Sequence, residues 1–105
     1  MIKVEVDKEN KIGKILIDRP EKMNSITVAM RREIGERLLE FSKNPDIRVI
    51  IIKGLGGKAF SSGGDVSEFL SLTPDTLMDW GEDISTSERI WKPVIAAIDG
   101  YTFGA

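Results

Sequence analysis

Histidine and cysteine are both absent from the 105 residues, and together the two absences remove much familiar side-chain chemistry. A Ser–His–Asp triad, a Cys–His pair and the usual zinc ligand sets cannot be assembled without them. Within these residues, proton transfer falls to carboxylates, lysines, the single tyrosine or water. A chain without thiols is indifferent to redox compartment, so this agrees with a cytoplasmic setting without requiring one. Long apolar runs are missing as well. The runs "VIII" (Val49 to Ile52) and "VIAAI" (Val94 to Ile98) fall far short of the ~20 residues of a membrane span, and no basic-then-apolar leader opens the chain. The expectation is a cytoplasmic protein with no membrane partner. An excess of one charge is the last absence. Fifteen basic and seventeen acidic side chains, a net charge of −2, are scattered along the chain and leave no electrostatic footprint for nucleic acid.

What is present is a soluble composition, 41% hydrophobic, enough for one domain with a modest core. Ile2, Val4 and Val6 alternate with polar residues, "DKEN" turns, and Ile12 to Ile17 continues apolar, which predicts a hairpin. "DRPEKMNS" then reads as a loop leaving a strand end, because Pro20 lacks an N–H and pushes Arg19 to extended geometry. Thr27 is the expected cap of a helix in which Met30, Ile34, Leu38 and Phe41 share a face, with Arg31, Arg32, Glu36 and Glu40 on the other. "IRVIIIKG" has the apolar character of a strand covered on both sides.

A glycine-rich loop follows, and "DVSE" has the form of a capping box. Asp65 would accept from the N–H near Glu68, and Glu68 would reach back. "TPD" starts a second helix, with Thr73 as cap and Pro74 at its first position. Leu77, Trp80, Ile84 and Trp91 can share a face of that helix, which runs to Lys92, and both tryptophans read as core. "VIAAI" is another buried strand before the turn "DGYTFGA". The expected order is therefore β-β-α-β-α-α-β, ending at a strand-to-helix turn. The uncovered last strand leads to the expectation that residues 1–105 are the N-terminal part of a larger domain, or need partner surface, and are poorly stable and inactive alone; a complete small α/β domain is the alternative.

The stretch "FSSGGDVSEF" (Phe60 to Phe69) admits several meanings. A tight turn of small residues needs no function at all. A phosphate loop would need the G-x-x-x-x-G-K-[ST] spacing, which is not there. A nucleophile at Ser61 or Ser62 would lack a histidine base. The fourth meaning is a backbone site. Strand carboxyl ends converge on the ligand crevice of a parallel α/β arrangement, so Gly63–Gly64 and Gly104–Ala105 can face one site. There, N–H groups at a helix start can bind an oxyanion.

Three segments, "LIDRPEKMNSI" (Leu16 to Ile26), "KAFSSGGDVSEF" (Lys58 to Phe69) and "KPVIAAIDGYTFGA" (Lys92 to Ala105), resemble successive signatures of the enoyl-CoA hydratase/isomerase, or crotonase, superfamily. The resemblance implies an α/β fold, a spiral of ββα units cut before its next helix. It also implies an acyl-CoA substrate whose thioester becomes an enolate held by two backbone N–H groups, those of Gly64 and Ala105. By the same resemblance Lys22, Met23, Ser25, Ser61, Ser62, Gly63 and Gly64 lie along the coenzyme A ester, with Arg19 and Lys58 as candidate phosphate contacts. No further cofactor or metal is implied, and the assembly would be a homotrimer or a dimer of trimers. Hydration of a 2-enoyl-CoA, a lyase reaction, is the leading activity, with catalytic glutamates expected beyond Ala105. Double-bond isomerisation, decarboxylation, dehalogenation, thioester hydrolysis and a non-catalytic acyl-CoA-binding or scaffolding role are the alternatives. Asp65 is explained by capping rather than catalysis, and Glu82, Asp83 and Glu88 by a helix surface.

Overall fold

The computed structural model describes residues 1–76, 78 and 85–104. In chain order its elements are β1 (Ile2–Asp7), β2 (Ile12–Ile17), α1 (Val28–Lys43), β3 (Val49–Gly54), β4 (Ala59–Ser61), α2 (Val66–Phe69), β5 (Val94–Ala97) and β6 (Tyr101–Thr102). Single 3₁₀ turns lie at Pro20–Lys22 and Ser85–Arg89.

The predicted hairpin is present: β1 and β2 run antiparallel with Ile2 opposite Ile17 and Asp7 opposite Ile12. The sheet continues in the order β1-β2-β3-β5, with β2–β3 and β3–β5 parallel. Burial falls where α1 lies. Ile15, Ile17 and Ile50 pack with Met30, Leu38, Phe41 and Ile47 of the helix and the turn after it. Thr27 caps α1 as expected, its hydroxyl accepting from the Met30 N–H at 3.1 Å. The other face of the sheet is less covered. Ile51 pairs with Ile95 in register, and Ile95 is half exposed.

The hairpin itself stands as expected, with only Ile2 of β1 in the core and Val4 and Val6 exposed. Several expectations need correction. Arg31 is buried rather than on the solvent face of α1. Trp91 is fully exposed rather than core, since residues 85–89 form a 3₁₀ turn and no regular helix carries Trp91 and Lys92. Lys92 instead closes α1, its Nζ donating to the carbonyls of Phe41 and Asn44 at 2.6 and 2.7 Å. That placement satisfies orphan C-terminal carbonyls with a cation at the negative end of the helix. Thr73 does cap the start predicted at "TPD", accepting from the Thr76 N–H at 3.2 Å. The proposed face of Leu77, Trp80 and Ile84, and the surface carboxylates Glu82 and Asp83, lie outside the described residues.

Two short strands are additional to the expected order. β4 and β6 pair in parallel, Ala59 with Tyr101 and Ser61 with Thr102, as a second, two-stranded sheet. Glycine permits this close approach: at Gly100, with φ +81°, a Cβ would collide with the Lys58 carbonyl oxygen, the acceptor for the Tyr101 N–H. The small sheet carries both glycine turns to one place.

Candidate active site

The loop after β2 is built around Asn24. Met23 and Asn24 both have left-handed backbone, φ 54° and 55°, a conformation asparagine tolerates better than most residues. The Asn24 side chain is fully buried. Its oxygen accepts from the Arg19 N–H at 2.8 Å, and its nitrogen donates to the carbonyls of Leu55 and Ala59 at 2.9 and 2.8 Å. One carboxamide therefore ties the loop to the end of β3 and the start of β4.

The glycine loop lies against that one. The Ser62 N–H donates to the Met23 carbonyl at 3.0 Å, the Gly63 N–H to the Ser61 hydroxyl at 3.1 Å, and the Asp65 N–H to the Ile26 carbonyl at 2.9 Å. In return Ile26 N–H donates to the Gly63 carbonyl at 2.8 Å. The Gly64 N–H alone in this run has no acceptor among the described residues. Buried backbone donors are nearly always paired, and Gly64 is only half-buried. Its donor is thus not committed to an acceptor among the described residues.

The second turn abuts the first. A Cβ on Gly63 (φ +98°) would stand 3.0 Å from the Phe103 carbonyl oxygen, and one on Gly104 (φ +73°) would stand 2.9 Å from the Gly63 Cα. The Phe103 N–H donates to the Ser61 carbonyl at 3.0 Å. Two side chains could not fit between these backbones. Residue 105 itself lies outside the described residues.

Beside Gly64 stands an ion pair. The Arg19 guanidinium donates to the Asp65 carboxylate at 2.8 Å and to the Ser25 hydroxyl at 3.0 Å. The other Asp65 oxygen accepts from the Ser67 hydroxyl at 2.6 Å and the Ser67 N–H at 3.0 Å. The Ser67 hydroxyl first, and the Arg19 guanidinium second, lower the Asp65 pKa to about 2. Such a carboxylate is a feeble base near neutral pH.

The capping box is only half formed. Asp65 caps α2 through Ser67, while Glu68 turns away from Asp65 and accepts from the Val28 N–H of α1 at 2.7 Å. Because the Asp65 N–H is taken by Ile26, Glu68 serves the longer helix, whose first-turn donors are still open. α2 is a single turn, so its start offers individual N–H groups and little collective dipole.

Of the sequence-predicted residues, Lys22 and Lys58 are exposed on the rim, and Met23, Ser25, Ser62 and Gly64 are half-buried around the two loops. Ser61 is buried, with its hydroxyl donating to the Asn24 carbonyl at 2.8 Å and its own carbonyl engaged by Phe103. Arg19 is occupied by Asp65 and Ser25. Asn24 went unnoticed. Its signal was an asparagine between Met23 and Ser25 in a proline-started loop, where left-handed backbone is common.

A four-stranded mixed sheet with α1 packed on it, beside a small parallel pair that brings two glycine turns together, defines a mixed α/β protein of the ββα-spiral type. The chain belongs to the enoyl-CoA hydratase/isomerase family, whose model matches residues 7–105. It is 37% identical over 100 residues to the mitochondrial 3-hydroxyisobutyryl-CoA hydrolase of Rattus norvegicus, covering 88% of this chain and 26% of that protein. It is 33% identical over 104 residues to the (E)-benzylidenesuccinyl-CoA hydratase of Thauera aromatica, covering 96% and 41% respectively. Among solved structures, an enoyl-CoA hydratase/carnithine racemase from Magnetospirillum magneticum superposes with a TM-score of 0.86 at 29% identity, covering 98% of this chain and 40% of that one. The chain thus spans from about a quarter to two-fifths of these relatives.

Proposed function

We propose that this chain forms the first part of an acyl-CoA site, in which the N–H groups of Gly64 and Ala105 hold a thioester oxygen as it becomes an enolate oxyanion. The observation that carries the proposal is the donor account around Gly64: among the described residues, its neighbours' N–H groups are bonded and its own is not. The contact between the Gly63 and Gly104 turns supports convergence of the two donors.

The reaction proposed is hydration of a 2-enoyl-CoA. Water adds to C3, the double-bond electrons move toward the thioester, and negative charge gathers on its oxygen. A proton then adds at C2. A preformed donor aimed at that oxygen contributes on the order of 3 kcal/mol to lowering the barrier, because the charge appears only in the transition state. With Asp65 held ionised by its partners, the carboxylates that move protons belong elsewhere in the whole protein. Lys22, Met23 and Ser25 would run along the coenzyme A portion, with Ser61, Ser62 and Gly63 setting the backbone beside it. Ser61 does so from beneath, through its buried hydroxyl. The proposal includes no cofactor besides the substrate's own coenzyme A, a homotrimer or dimer of trimers, and a cytoplasmic setting.

Thioester hydrolysis is the second reading, motivated by the hydrolase relative from Rattus norvegicus. One assay separates the two. The complete protein is given a short 2-enoyl-CoA and a saturated acyl-CoA, while enoyl-thioester absorbance and free thiol are followed. Hydration removes the absorbance without releasing thiol. Thiol release identifies a hydrolase, and neither change removes the proposal.

A further inference from the structure

We infer that Arg19 is an electrostatic positioning residue: paired to Asp65, it cancels a negative charge that would otherwise stand one residue from the Gly64 N–H, where an anion must form. The inference rests on the proposed oxyanion role of Gly64. An oxyanion site has a physical difficulty here, because Asp65 follows Gly64 directly and a carboxylate repels the charge that the site exists to hold. The carboxylate is retained for architecture, since its Oδ1 caps the turn after Gly64 through the Ser67 N–H and hydroxyl. Its Oδ2 is met by Arg19 at 2.8 Å, from a loop 46 residues earlier in the chain.

Arg19 is itself well placed for this. The Asn24 carboxamide holds its backbone N–H, the Ser25 hydroxyl steadies its guanidinium, and its side chain is about one-fifth exposed. The pair is partly buried, its side chains 21% and 15% exposed, so it is screened less than an ion pair on an open surface. Lys22 and Lys58, the nearby exposed cations, have no contact with Asp65 among the described residues.

An ordinary tie between loops would be symmetrical: removing either partner breaks the same contact. Charge cancellation is not. Arg19→Gln keeps a donor for Ser25 but leaves the carboxylate uncompensated. Asp65→Asn removes the offending charge and keeps an oxygen for Ser67. The test uses the complete protein, with kcat and KM for an acyl-CoA it turns over, and melting temperature as a fold check. Arg19→Gln is expected to lower kcat about 10- to 100-fold with little change in KM, on the scale of one nearby unit charge in a partly dry site. Asp65→Asn should stay within a few-fold of the parent, Arg19→Lys likewise, and Arg19→Gln with Asp65→Asn should recover to near the Asp65→Asn level.

Equal losses for the two single variants, or a double variant no better than Arg19→Gln, would overturn the inference while leaving the Gly64 site standing. If Arg19→Gln does not fold, the double variant and Asp65→Asn still decide it, since both must keep near-parental kcat. A parent that turns over no acyl-CoA overturns both the inference and the reading beneath it.

Discussion

Replacing Asn24 should damage this protein more than any exposed residue of the site. The side chain is fully buried and makes three hydrogen bonds of 2.8–2.9 Å. Asn24→Ala would leave the Arg19 N–H and the Leu55 and Ala59 carbonyls without their partner. An unsatisfied buried polar group costs about 1–3 kcal/mol. Some of the three will recruit water, so the hydrogen-bond loss is set at about 3–4 kcal/mol. Alanine in the left-handed conformation adds about 1 kcal/mol. The total, about 4–5 kcal/mol, approaches the whole stability of many domains. Asn24→Asp is the informative companion. It keeps the local backbone preference and an acceptor for Arg19, but sets carboxylate oxygen against two carbonyls. Its ionised form is therefore disfavoured on folding and its folded pKa is raised. By linkage, the variant is most stable below the carboxyl's unfolded pKa and loses stability as pH rises through the folded value. Urea denaturation of the complete protein, followed by far-UV circular dichroism at pH 5 and 8, measures both effects. An Asn24→Ala midpoint equivalent to less than about 1 kcal/mol of loss would refute the hub role. So would an Asn24→Asp variant insensitive to pH.

Three other outcomes follow from the same structure. Asp65 has its pKa lowered from 3.8 to about 2, so its stabilising contribution is complete above 3.8 and disappears as pH falls toward 2; an acid titration of Asp65→Asn should be flatter than the parent's across that window, and an identical slope would contradict the network. Gly13→Ala would put a Cβ 2.7 Å from the Phe41 ring and 2.9 Å from the Ile47 Cδ1; overpacking of about 1–3 kcal/mol is expected, and a neutral thermal shift would show that the core yields more easily than drawn. Glu68→Ala should expose the Val28 N–H of α1 and speed its hydrogen exchange in the first turn, whereas unchanged exchange there would mean the 2.7 Å contact does not hold in solution.

The hairpin, α1 and the parallel core strands were legible because period and capping speak locally: Met30, Leu38 and Phe41 recur on one face, and Thr27 marks its start. β4 and β6 were not, since three- and two-residue strands within glycine-rich turns have no period to read. Capping was half legible. Nothing local to "DVSE" says that the Asp65 N–H is already committed to Ile26, leaving Glu68 to find Val28 some 40 residues earlier. Trp91 misled for a related reason, because aromatic burial depends on a tertiary surface that its own segment does not specify. At the site, the three segments taken together pointed to the family and to a meeting of the two glycine turns, which lie in contact at Gly63 and Gly104. The Asn24 hub and the Arg19–Asp65 pair depend on contacts across 31 to 46 residues, beyond any local pattern.

The central claim concerns one hydrogen on one nitrogen, and it can be removed almost alone. Replacing the amide N–H of residue 64 with an ester oxygen, in the complete protein, deletes that donor while retaining the outline of the turn. Circular dichroism and melting temperature should first establish that the fold is kept. If the proposed oxyanion role is right, kcat on an acyl-CoA that the parent turns over should fall about 10²–10³-fold, with binding of the coenzyme A ester largely preserved. A folded ester protein with parental kcat would contradict it and remove the Gly64 N–H from the mechanism.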